Sequence, residues 1–150
     1  MTRLVRTATA LLAAAYLGWG AWATVAPRHF FDTFPGFGQR WTAAYPPFNE
    51  HLMADLGATF LTLGFLLAVG AALPDRRVRR TVLAGALVFN TLHLFFHATH
   101  HGLLAGWGLG ASLASLVVGV LLPAILIALD RRPARAREPE AERSVAGRSP

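Results

Sequence analysis

Four stretches of this chain run for about 20 residues each with almost no charge, long enough to cross a bilayer as helices. Arginines collect around them, at Arg3 and Arg6, at Arg76, Arg77, Arg79 and Arg80, and at Arg131, Arg132, Arg135 and Arg137. A water-soluble domain needs polar residues along every element, because each element has a wet face. These stretches have none to spare, at residues 4–25, 52–73, 81–99 and 107–129. In hydrocarbon the backbone must satisfy itself, so each is expected to be a helix. Pro123 falls in the fourth and removes one backbone donor, which membrane helices tolerate.

The expected fold is all-α: a four-transmembrane-helix bundle over residues 1–129, with an aromatic-rich outer loop between the first and second helices. Residues 130–150, rich in Pro, Arg and Glu, read as a disordered cytoplasmic tail. At 150 residues, 54% hydrophobic and 15% charged, the chain has room for one domain. All 14 basic residues are arginine, which with abundant Ala, Gly and Leu reads as a GC-rich bacterial gene. The net charge of +6 does not point to nucleic acid, because it flanks apolar spans, where arginine sets topology and touches lipid head groups. Having no cysteine excludes disulfides, thiolate metal sites and a cysteine nucleophile. A cleaved signal peptide is the alternative for the first span, whose apolar run is long for that role.

Orientation follows from arginine placement. The segment from residue 26 to 51 holds only Arg28 and Arg40, and residues 102–106 hold none. The positive-inside rule then puts both termini in the cytoplasm of a bacterial inner (plasma) membrane. Trp19, Trp22, Trp41 and Trp107 fall near the opposite face, where an aromatic belt belongs. Residues 29–38 and 41–48 are too greasy to float in water and too broken by Pro and Gly to span. They are expected to lie along the outer interface and cover the bundle mouth, as an anchor or as a lid.

Two polar stripes interrupt the apolar spans. On the third, Asn90, His93, His97 and His101 share a face about 80° wide, with His100 at its edge. On the second, His51, Asp55, Thr59 and Thr62 form another, with Asn49 and Glu50 just above it. In adjacent antiparallel helices the stripes correspond in depth, which pairs Asp55 with His97 or His93. Interhelical hydrogen bonds are worth only about 1 kcal/mol each, whereas an ionised carboxylate deep in the bilayer costs about 3 kcal/mol on insertion scales. Intramembrane imidazoles and carboxylates therefore nominate a site.

Its chemistry has several readings. His51, Asp55, His93 and His97, with Glu50, His100 or His101 in reserve, offer imidazole and carboxylate to Zn, Fe, Cu or Mn. Non-covalent haem held by His51 or His93 is a second cofactor. Without a metal, Asp55 and His97 can act as general base and proton relay toward a lipophilic small molecule. The leading expectation is a metal- or haem-dependent oxidoreductase. A non-catalytic scaffold or accessory subunit, and a small proton-coupled transporter, are the alternatives. The partners expected are the lipid bilayer and a lipophilic small molecule, with homo-oligomerisation left open and nucleic acid excluded. The string from His97 to His101 fits the HxxHH box of membrane desaturases, which draw on about eight histidines, whereas this chain has 6.

The segments Phe34-Pro35-Gly36, Pro46-Pro47-Phe48-Asn49-Glu50-His51-Leu52 and His93-Leu94-Phe95-Phe96-His97-Ala98-Thr99-His100 resemble a group of small actinobacterial four-helix membrane proteins. Such proteins carry FPG, PPYNEHL and HLxxHxxH segments; here Phe48 stands where Tyr is usual. The resemblance covers about residues 26–101 and implies topology without a mechanism. In hydropathy the chain is also similar to DoxX-like and anthrone-oxygenase-like proteins.

Overall fold

The computed structural model of the chain describes residues 2–130. Its long helices are α1 (Thr2–Val25), α3 (Glu50–Ala72), α4 (Arg76–Thr99) and α5 (Gly106–Leu129). Each is long and apolar enough to cross a membrane. Between α1 and α3 lie a short helix α2 (Pro27–Thr33) and two strands, β1 (Pro35–Gly36) and β2 (Gln39–Arg40). The all-α, four-helix expectation holds. The segment between the first two spans is more ordered than a loop: β1 and β2 pair antiparallel, Pro35 with Arg40 and Gly36 with Gln39. Their turn needs positive φ at Gly36, Phe37 and Gly38, at 96°, 56° and 75°. Only glycine adopts this freely, so Phe37 holds its fully exposed ring at a local cost of roughly 1–2 kcal/mol.

Caps set where the helices begin. The Asn49 side chain accepts from the Leu52 N–H at 3.1 Å, and Asp75 accepts from the Arg77 N–H at 2.6 Å. The second cap starts α4 at Arg76 rather than at Thr81, the start expected from hydropathy. Arginine is a good helix former, so a hydropathy boundary and a helix boundary need not coincide.

Lipid tails are as apolar as leucine, so the helices are held by close packing rather than by burial from water. The seam between α1 and α3 is built on glycine. A Cβ placed on Gly20 would sit 2.7 Å from the Leu61 backbone nitrogen, and one on Gly64 2.8 Å from that of Leu17. Gly57 lies against the Thr24 hydroxyl in the same antiparallel seam. Next to it Tyr16, Phe60 and Phe89 meet edge to face, with centroids 5.6–6.5 Å apart. Between α4 and α5, Gly119 is the close approach, against the Asn90 side chain.

One end of the bundle is held by arginines. Arg6 donates from Nε to the Ala71 carbonyl at 2.9 Å and from Nη2 to the Ala72 carbonyl at 3.0 Å. These are the carbonyls that the end of α3 leaves without intrahelical partners. Arg79 donates from Nε and Nη2 to the two carboxylate oxygens of Asp130, at 3.1 and 3.0 Å, with both side chains buried. Asp130, expected as the first residue of the tail, is therefore part of the packed bundle. Arg79, expected as a loop charge, is part of the core. The rest of the expected tail, residues 131–150, lies outside the described residues.

Candidate functional site

Helix α4 turns Arg79, Leu83, Ala86 and Asn90 inward, all of them buried. At about 100° per residue, His93 and His97 continue that face toward the opposite end of the bundle. They are half-buried there. The His93 ring stacks on Phe89 with centroids 5.4 Å apart and meets the His97 ring edge-on at 4.5 Å.

Tyr45, from the segment that follows β2, reaches over this pair. Its hydroxyl lies 2.7 Å from His97 Nδ1 and donates to the His100 carbonyl at 2.8 Å. A phenol has one proton, and the carbonyl can only accept. The hydroxyl must then accept from His97, which fixes the Nδ1–H tautomer and leaves Nε2 as the ring's acceptor nitrogen. Burial pushes the Tyr45 phenol above its ordinary range, so it stays protonated at neutral pH. The segment is pinned beside it, since the Leu103 N–H donates to the Ala44 carbonyl at 2.8 Å.

Deeper in the same column, Asn90 donates from Nδ2 to the Tyr16 hydroxyl at 2.6 Å and to the Ala86 carbonyl at 2.7 Å. The chain has 2 tyrosines against 10 phenylalanines, and both tyrosines bond to the polar stripe of α4. That contrast was the available signal. A hydroxyl in apolar surroundings is retained where it has a partner.

The expected set is only partly brought together. His93 and His97 are adjacent and face inward with Asn90. Asp55 does not join them: no hydrogen bond or ion pair links it to either histidine among the described residues. It pairs instead with His51, one turn away on its own helix, at 3.4 Å and with both side chains well exposed. The physical reason is the glycine seam. Close packing of Gly57 and Gly64 on α1 turns that face of α3 inward, which rotates His51, Asp55, Thr59 and Thr62 outward. Glu50 is exposed at the start of α3 and lines an open cleft of about 580 Å³ with Arg28, His29, Asp32 and Phe48. His100 stacks on Phe96 at 4.8 Å and lies 2.9 Å from the Thr99 hydroxyl, while His101 Nε2 donates to the Ala98 carbonyl. Both are exposed at the rim. Among the described residues, no three His, Asp or Glu side chains gather as a metal-ligand group. The expected ligand set of His51, Asp55, His93 and His97 is thus divided between two faces.

No family model matches the chain, and no curated protein or solved structure matches it. The chemistry open to the site must come from its geometry. Both His93 nitrogens lack a hydrogen-bond partner among the described residues, and neither is sealed from the surface. His97 is oriented by Tyr45, and Tyr45 by the carbonyl at the end of α4. The arrangement offers one uncommitted imidazole beside a second of fixed tautomer. Tyr45→Phe should remove the bond to His97 and loosen residues 44–45, at a net cost of about 0.5–1.5 kcal/mol. Faster hydrogen exchange at the Leu103 amide is the expected readout; unchanged exchange would mean that the backbone contacts alone hold the segment.

Proposed function

We propose that this chain is a multi-pass protein of a bacterial plasma membrane, with both termini cytoplasmic, whose His93–His97–Tyr45 group binds the polar head of a lipophilic small molecule by hydrogen bonds. The reading rests on one observation above the others: His93 has no hydrogen-bond partner among the described residues, yet lies 4.5 Å from a His97 whose tautomer is set by Tyr45. Imidazoles are costly inside a span and mark functional sites there by default. His93 is the group that meets the ligand. A ligand hydroxyl donates a hydrogen bond to an acceptor nitrogen of the neutral His93 ring. His97 and Tyr45 position it. The orientation is supported by Arg6, Arg79 and Asp130 gathering at the end opposite the histidines.

A scaffold role has its own support, since Asn90 bonds Tyr16 and Arg79 pairs with Asp130 inside the bundle. Transport has less, because Leu83 and Ala86 occupy the inward face of α4 between Asn90 and Arg79, fully buried and apolar.

Titrating the protein in lipid nanodiscs with a short-chain quinol, an apolar ring bearing acidic hydroxyls, separates the first two readings. Tryptophan fluorescence should saturate for the wild type, and His93→Gln should weaken binding by about tenfold, the equivalent of one hydrogen bond at the upper end of its usual net worth. Identical curves for both proteins, with His97→Gln lowering only the unfolding temperature, would leave the scaffold reading.

A further inference from the structure

The outward polar stripe of α3 has no role in the site above, and its geometry is unusual for a helix that crosses hydrocarbon. Taking His51 as the origin, Asp55, Thr59 and Thr62 lie within about 80° of it at 100° per residue. The buried residues Met53, Gly57, Phe60, Gly64, Leu67 and Ala71 occupy the opposite side of the helix, between about 160° and 240°, and Gly70, packed against α4 near the far end, lies at about 100°. The polar stripe is therefore the face turned furthest from the rest of the chain. Beyond the first turn of the long helices, Asp55 is the one carboxylate among the described residues, and its side chain is 64% exposed. Elsewhere the outward faces are largely apolar, as with Val88, Leu92 and Phe95 on α4 and Val118, Leu121 and Ile125 on α5, with Thr91 and Ser115 among the exposed exceptions.

We propose that this stripe is the contact surface of a two-fold symmetric dimer of the chain. Charge complementarity selects a second copy as the occupant. The stripe carries an acid and a base one turn apart, so it complements itself when two copies of α3 run parallel about an axis normal to the membrane. His51 of each copy then meets Asp55 of the other. The axial offset is about 6 Å, the same offset the pair already spans within one helix at 3.4 Å. Ala58, Thr59 and Thr62 are small enough for the backbones to approach closely below that ring. Lipid tails offer Asp55 no donor, and an unrelated partner would have to carry the matching pair.

The chain has no cysteine, so single-cysteine variants report contacts without background. In membrane vesicles, Ala58→Cys and Thr62→Cys should form oxidised homodimers, whereas Val118→Cys on α5 should not. His51→Asp places the carboxylates of the two copies together and should lower the crosslinked fraction by about tenfold or more, since like-charge contacts across an interface are strongly unfavourable. The double exchange His51→Asp with Asp55→His keeps the stripe self-complementary and should restore it. Crosslinking at none of the positions, equal crosslinking at all of them, failure of the double exchange to restore it, or crosslinks to a different protein would each overturn the proposal.

Discussion

Asp130→Ala is expected to destabilise the bundle by about 3–5 kcal/mol, because it strands the buried Arg79 guanidinium without its partner. In the native chain that guanidinium has its Nε and Nη2 groups on the carboxylate, and Nη1 is without a hydrogen bond among the described residues. Removing the carboxylate takes away both hydrogen-bond acceptors that the guanidinium has among the described residues. Arg79→Met with Asp130→Leu should recover most of the loss, since replacing both members of a buried pair by apolar residues is often neutral or better. Thermal unfolding in detergent, followed by circular dichroism, measures both variants. A loss below about 1 kcal/mol for Asp130→Ala would place the pair among exposed salt bridges and contradict its burial.

Gly64→Ala is the second large effect, and its sign sets it apart from the same change at Gly18. Both glycines lie within long helices, where alanine is favoured by about 1 kcal/mol on propensity alone. At Gly18 an added Cβ meets nothing within 4 Å, so Gly18→Ala should be neutral or stabilising. At Gly64 the same atom would sit 2.8 Å from the backbone nitrogen of Leu17, which no rotamer change relieves. The helices must separate, at a cost of about 1–3 kcal/mol typical of overpacking. In the same unfolding assay the two variants should shift in opposite directions. A common direction would mean that the seam is loose enough to admit a methyl group.

Much of the fold was legible because hydrocarbon permits few solutions. An apolar stretch of the right length must be helical, whatever its neighbours do. The inward stripe of Asn90, His93 and His97 was legible for a related reason, since residues three, four and seven apart on a helix share a face. Periodicity identifies a face but not its direction. For α4 the polar face turns inward, because Tyr16 and Tyr45 supply partners for Asn90 and His97. For α3 it turns outward, because Gly57 and Gly64 let α1 approach the opposite side. Two stripes that look alike in the sequence thus have opposite fates. Asp55 was placed with the wrong histidines for this reason, while His51, its partner one turn away, lay within the same stripe.

The amino-acid sequence by itself determined four apolar helices, their charged ends and a histidine-bearing face on α4. All of these depend on near neighbours along the chain and on the solvent around it. Only the tertiary structure decided that Arg79 and Asp130 form a buried pair, that Tyr45 fixes the tautomer of His97, and that Asp55 faces away from the site. Each depends on which helix surfaces pack, and that is settled by where backbones can touch. In this chain glycines set that approach, residues with no side chain through which to announce it.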